Sequence, residues 1–330
     1  MKTRLAAAAL SFLLATTAAS AQVLRVADLN TREIRALDRE TTVVFLQGGM
    51  LEEHGPYLPA FTDGYLSERL TADVASGVVA AKPGWKALLF PPVSVGASGY
   101  NEIGGTFNFP GTYAVRPSTL RAIYMDLASE LGEQGFKWVM VVHVHGSPNH
   151  IAALDEAGDF FHDTYGGRVV NLWGLIPVIS GWGNAMSVMT AAEKKEDGAS
   201  LHGGADEHSL MLHLKPELVA KDYNSATTVT GATMEASVAA ANAEGWPGYL
   251  GAPRIATAAL GRQIWDGFSA AALKSAIDIL NGTDPASIER YMTYMLRNPI
   301  HQEWIKRANA RDSSYAERQR AWMAARSVKQ

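Results

Sequence analysis

The sequence contains no cysteine. An oxidising compartment would find nothing to cross-link, and no thiolate is on offer, so any bound metal must be held by His, Asp or Glu. Nor is there a basic excess: 29 Lys and Arg stand against 33 Asp and Glu, a net charge of −4. That balance offers no cationic face to a phosphate polymer, and nucleic acid is excluded as an expected partner. Beyond its first residues the chain also lacks the long uncharged apolar run that a bilayer helix requires. What is present is ordinary globular material, 330 residues of which 47% are hydrophobic and 19% charged, enough to bury a full core.

The opening "MKTRLAAAALSFLLATTAASAQ" sets Lys2 and Arg4 before an apolar stretch from Leu5 to Ala15 and closes on Ala19-Ser20-Ala21, a small-x-small exit. This pattern reads as a secretion signal cleaved before Gln22; the apolar stretch is short for a membrane anchor. The expected organisation is a cleavable signal peptide over 1–21, one domain over 22–284, and a C-terminal helical extension over 285–330 rich in Arg, Met and Trp. The mature protein would carry a net charge of −6, because removing the leader removes Lys2 and Arg4. It would be secreted or periplasmic, with no membrane span after cleavage.

Apolar, β-rich runs recur at 41–49, 85–96, 137–146 and 168–174, each too continuous to be half-exposed. They predict buried parallel strands. Between them, "GYLSERLTADVASGVVAAK", "RPSTLRAIYMDLASELGEQGF" and "PNHIAALDEAGDFFHDTYG" place apolar residues at helical spacing, with Pro117-Ser118 and Gly135 as start and stop of the second. Strand alternating with helix is the α/β signature, and in such sheets sites form at the carboxyl ends of the strands.

Three segments bring candidate ligands to those ends. "LEEHGPYLPAFTDG" carries Glu52, Glu53, His54 and Asp63; "VVHVHGSPNH" carries His143, His145 and His150; "SLHGGADEHSLML" carries His202, Asp206, Glu207 and His208. Residues two apart on an extended chain share a side, so Glu52 and His54 can face one cavity with Glu53 turned away, and His143 and His145 can do likewise. Asp63, on the loop's return, has two oxygens and could bridge two ions, which together could hold a hydroxide near neutral pH and polarise a carbonyl. Taken singly, the segments read more readily as a polar loop, a core histidine and an exposed helix face; only their combination favours a site. Glu53 and His150 are expected to tolerate alanine better than the ligands.

These residues resemble the creatininase (creatinine amidohydrolase) family, whose first-strand motif E-x-H-G-P-H-L-P-x-x-T-D is matched by "EEHGPYLPAFTD" with Tyr57 in place of the second His. "FPGT" at 109–112, "VVHVHGSPN", "HGGADEHSLML" and "GAPRIATAALG" follow in the family's order, from about Thr41 to Asp278. The resemblance implies a three-layer α/β/α fold around a mainly parallel sheet and, in many members, a ring-like homo-oligomer. It implies metal ligands at Glu52, His54, Asp63, His145 and Glu207, with Asp63 bridging, and an acid/base role for His202. It implies two divalent ions, Zn or Mn with Fe also admissible, and hydrolysis of a non-peptide C–N bond in a cyclic or other small amide. Family members acting on creatinine carry an acidic metal ligand two places beyond the ligand His; here that place is Ser147, which argues against creatinine as substrate. Tyr57, Tyr100, Glu102, His143, Trp173 and Trp182 are the expected substrate contacts. Two rival readings are a lactonase or peptidase on the same metals and a secreted metal- or solute-binding protein without turnover.

Overall fold

The computed structural model describes residues 22–198, 200–231 and 233–326. The leader reading over 1–21 lies outside the described residues. The centre is a five-stranded sheet, β1 (Val23–Arg25), β2 (Thr42–Gln47), β3 (Lys86–Leu89), β4 (Trp138–Val142) and β5 (Arg168–Asn171), in the order β1-β3-β2-β4-β5 with every neighbouring pair parallel. The four expected strands are present and shorter. Pro91-Pro92 supplies no amide hydrogen to continue β3, and β4 stops at Val142, ahead of its histidines. β1 pairs with β3 over three residues, too few to show a periodicity.

Seven longer helices surround the sheet: α1 (Thr62–Ala81), α2 (Pro117–Glu133), α3 (Pro148–Tyr165), α4 (Ile176–Ala185), α5 (Ala205–Leu214), α6 (Ala258–Leu280) and α7 (Pro299–Ala325). Strand alternation divides the core in two. Val43, Phe45, Met140 and Val142 pack with residues of α1, α4, α5 and α6 on one face. Val44, Leu46, Val139 and Val141 pack with α2 and α3 on the other. The result is the three-layer α/β/α arrangement, with strands apolar on both sides because both sides are covered.

The topology fixes where a site can form. From β2 the chain leaves through α1 on one face, and from β4 through α3 on the other, so the loops beyond these adjacent strands diverge and leave a crevice at their carboxyl ends. Gly49 lets the first loop fold back closely. Its φ is +146°, and a Cβ there would stand 2.3 Å from the Gly64 Cα of α1. Gly261 plays the same part for α6, since a side chain would meet the Ser209 carbonyl of α5 at 1.8 Å.

After α6 the chain returns to the sheet's carboxyl end. A short helix at Tyr291–Met295 is followed by α7, whose Trp304 and His301 are buried and whose Asp312 accepts from the Ser118 amide and hydroxyl at 2.8 and 2.7 Å. Among the described residues, no helix is long and apolar enough to cross a membrane.

Phe268 of α6 is fully buried and meets Trp173, Trp182 and Trp265 edge-on at centroid distances of 5.3, 5.4 and 5.8 Å. Phe268→Ala should therefore cost about 3–5 kcal/mol in denaturant unfolding; a loss below about 1 kcal/mol would show that this layer is not tightly packed.

Candidate metal centre

Glu52 and His54 lie in the loop after β2, Asp63 in the first turn of α1, His145 in the loop after β4, and Glu207 in the first turn of α5. Asp63 is therefore helical, not part of the returning loop, and both it and Glu207 sit where the partial positive charge of a helix N-terminus favours a carboxylate. Among these five residues two groups that could hold a metal ion result, Glu52–Asp63–His145 and His54–Asp63–Glu207, each with ligand atoms within 4.8 Å of one another, and Glu52–His54–His202 forms a third among the described residues. Asp63 belongs to the first two. Its Oδ2 stands 3.0 Å from His145 Nδ1, its Oδ1 3.3 Å from His54 Nε2. Glu52 Oε2 approaches the same His145 nitrogen at 2.9 Å, and Glu207 Oε2 approaches His54 Nε2 at 3.7 Å.

The outer nitrogens of the two imidazoles are committed elsewhere. His54 Nδ1 donates to the Glu52 carbonyl at 3.1 Å, and His145 Nε2 donates to the carbonyls of Ala97 and Ser98 at 3.2 Å each. A carbonyl only accepts, so these nitrogens carry hydrogen and the nitrogens facing the carboxylates are the ones free to ligate. His54 Nε2 and Asp63 Oδ2 are buried without a hydrogen-bond partner among the described residues. A nitrogen–oxygen donor set with orphaned inward atoms fits zinc- or manganese-type cations.

The electrostatics agree. Burial acts to lower the pKa of His54, yet Glu207 and Asp63 hold it well above the ordinary imidazole value. Burial opposes protonation of His145 too, and Glu52 and Asp63 outweigh it in the same direction. Burial would raise Asp63 and Glu207, but the neighbouring histidines hold both low. Ionised carboxylates packed this closely demand positive charge, and without metal the imidazoles must supply it as protons.

His202 joins this centre. It lies within 4.8 Å of ligand atoms on Glu52 and His54, and Tyr100 stacks on its ring at 5.0 Å and 5°. Its Nε2 donates to the Glu53 carbonyl at 2.5 Å, leaving Nδ1 as the ring's acceptor, and burial lowers its pKa so that it is neutral at pH 7. The Tyr100 amide in turn donates to Glu52 Oε1. A cavity of about 710 Å³ opens onto Glu52, Asp63, His145, His202 and Glu207, and Tyr100, Trp173 and Trp182 line it as well.

Several expectations need correction. Glu53 is turned away from the two ligand groups but not outward: it is 3% exposed, its amide donates to the Thr112 hydroxyl at 3.1 Å, and that hydroxyl donates to its carboxylate. Burial, and then Glu52, raise its pKa to about 8. His143 does not reach the cavity. The strand has ended before it, so strand alternation does not put it beside His145; its Nε2 instead meets the Tyr124 hydroxyl at 2.5 Å, and burial lowers its pKa to about 3. His150 is fully buried, its Nδ1 accepting from the Ala97 amide at 3.2 Å, and so it too supports the site. Glu102 does not line the cavity, because Arg311 of α7 claims its carboxylate at 2.6 Å. Tyr57 lies outside it as well, set edge-on to His208 at 6.2 Å. Ser147 donates to the Ala97 carbonyl at 2.9 Å.

Sequence reading missed Ser67, whose hydroxyl donates to the Asp63 carbonyl at 2.7 Å and accepts the Val144 amide at 2.9 Å, tying the first turns of α1 to the loop that carries His145. It also missed Tyr291, Met295, His301 and Trp304, which line the cavity from the far C-terminus. A serine one turn along a helix gives no local signal. The motif "FPGT" did hold one for Thr112.

The family profile Creatininase, creatinine amidohydrolase, matches residues 27–275. A mycofactocin precursor peptide peptidase of Mycolicibacterium smegmatis is 31% identical over 250 residues, 72% of this chain and 85% of that protein. A creatinine amidohydrolase of Pseudomonas putida is 26% identical over 190 residues, 54% of this chain and 67% of that protein. The crystal structure of a creatinine amidohydrolase (creatininase) superposes with a TM-score of 0.59 at 22% identity, covering 79% of this chain and 99% of that one. Creatininase structures of Zn-Zn type and with Mn, also 22% identical, give TM-scores of 0.58 and 0.57 over 78% of this chain and 98% and 99% of theirs. These superpositions establish the fold.

Glu207 and Asp63 raise the pKa of His54, and Glu52 and Asp63 that of His145, so protons compete with a divalent ion for these imidazoles. Zinc uptake at pH 7 should release protons, and zinc affinity should fall as pH falls, since the raised pKa values keep protons competitive above the ordinary imidazole range. Calorimetric titration in two buffers of different ionisation enthalpy reads the release; identical heats in both would contradict it.

Proposed function

The chain belongs to the creatininase family and is a hydrolase of carbon–nitrogen bonds; on that premise we propose that it cleaves an amide other than creatinine at a binuclear centre held by Glu52, His54, Asp63, His145 and Glu207. The observation that carries this reading is the sharing of Asp63, one oxygen toward each imidazole, between two groups of potential ligands. Two ions of zinc or manganese type there would supply Lewis-acid polarisation of a carbonyl and a water of lowered pKa.

The chain's own residues account for the proton. His202 is neutral, and its Nε2–H is held by the Glu53 carbonyl. Nδ1 can therefore accept a proton from the attacking water and deliver it to the leaving nitrogen, with the stacked Tyr100 fixing the ring. Glu53, buried and tied to Thr112, holds the carbonyl that sets this tautomer. Ser147 has no carboxylate to offer and its hydroxyl donates to the Ala97 carbonyl, and Glu207, grouped with His54 and Asp63, would complete the set.

A second reading, hydrolysis of a short peptide, draws support from the cavity of about 710 Å³ and from the M. smegmatis relative named as a peptide peptidase. Cavities of this size suit drug-sized ligands better than a single small ring.

A panel of lactams, hydantoins, formamides and short peptides, assayed with Zn and with Mn, identifies the substrate. On that substrate Glu52→Gln and Asp63→Asn should lose both activity and bound metal. His202→Ala should keep its metal while kcat falls about 10²–10⁴-fold. Full activity and metal content in Glu52→Gln would rule the binuclear reading out; unchanged kcat in His202→Ala would remove the proton role.

A further inference from the structure

The cavity is closed on one side by residues lying beyond the family match, which ends at residue 275. Tyr291, Met295, His301 and Trp304 supply this wall, and the last three are each no more than 5% exposed. We propose that the segment 285–326 is the specificity element of this enzyme, and that it selects amides carrying a bulky apolar or aromatic flank with hydrogen-bond acceptors, the size and chemistry of a short apolar peptide. The proposal rests on the reading of the centre as an amide hydrolase.

The wall is fastened at both ends. Upstream of Tyr291, the Ile176 amide donates to the Glu289 carbonyl at 3.0 Å and the Tyr291 amide to the Gly174 carbonyl at 2.8 Å, which stitches the segment beside Trp173. Arg290 grips Asp159 through both terminal guanidinium nitrogens, at 2.8 and 2.5 Å. Downstream, Arg307 donates to the Ile103 carbonyl at 2.9 Å and Arg311 pairs with Glu102 at 2.6 Å. These contacts pin the turn Tyr100–Gly104, and Trp304 packs edge-on against Tyr100 at 5.9 Å, which itself stacks on His202. A helix far along the chain therefore reaches the proton carrier through one aromatic ring.

The chemistry of the lining names the ligand class. Met186, Met189, Met234 and Met295 give adaptable thioether surface, and Trp173, Trp182 and Trp304 add aromatic surface to the same cavity. The Tyr100 hydroxyl and the indole N–H groups of Trp173 and Trp304 are buried without hydrogen-bond partners among the described residues. Buried donors of this kind call for acceptors, which a purely hydrocarbon flank would not provide. A small ring amide would leave most of the cavity wet and these donors unanswered.

Hydroxamates read the wall apart from turnover, because they bind a metal centre without being consumed by it. Zinc-loaded protein is titrated calorimetrically with acetohydroxamic acid and with N-acetylphenylalanine hydroxamate, the zinc content of every variant being measured first. The wild-type protein should bind the larger ligand at least about tenfold more tightly. Met295→Trp, which fills the cavity, should bring the ratio of the two affinities close to one. Tyr291→Ala, which removes part of the wall, should lower the ratio as well and serves if Met295→Trp does not fold. An unchanged ratio in a zinc-replete variant overturns the specificity role and leaves the metal centre standing. Failure of acetohydroxamic acid to bind zinc-loaded wild-type protein overturns the centre, and the proposal with it.

Discussion

Three carboxylates, Glu52, Asp63 and Glu207, are gathered around two imidazoles at the end of a parallel sheet, and this concentration of negative charge is the constraint to which the rest of the structure answers. Removing ionised carboxylates from water costs several kcal/mol each unless cations accompany them. Asp63 meets the demand from the centre by facing both imidazoles, while two helix N-termini support Asp63 and Glu207 from behind. The carbonyls of Glu52, Ala97 and Ser98 fix the imidazoles' outer nitrogens, so the inner ones have no other task than the carboxylates or a metal.

Much of this was legible in the sequence, for physical reasons. Strands apolar on both faces announce a covered parallel sheet, and the sheet's switch point locates the crevice between β2 and β4. The expectation that Glu52 and His54 share one centre holds, since their ligand atoms lie within 4.8 Å of each other. The same argument failed for His143, because β4 ends at Val142 and the His143 ring meets the Tyr124 hydroxyl instead of the centre. Glu53 was misread for a related reason: turned away from the cavity does not mean turned to water, and the "FPGT" segment covers it with Thr112.

What the sequence hid was the long-range pairing. Glu102 looks like a polar loop residue until Arg311, 209 positions later, is found holding it. Ser67 is one more small helical residue until Val144 is found donating to it. No periodicity joins such partners, since they meet only through tertiary packing. The same holds for the C-terminal aromatic and thioether wall, whose composition reads as a solvated helix and whose burial against the cavity does not.

The two ligand groups around Asp63 can be tested directly by anomalous diffraction from crystals of the protein purified with zinc or manganese. Two peaks should flank the Asp63 carboxylate about 3.5–4 Å apart, one beside His145 and Glu52 and the other beside His54 and Glu207. A single peak, or peaks away from Asp63, would contradict the binuclear centre from which the proposed hydrolysis follows.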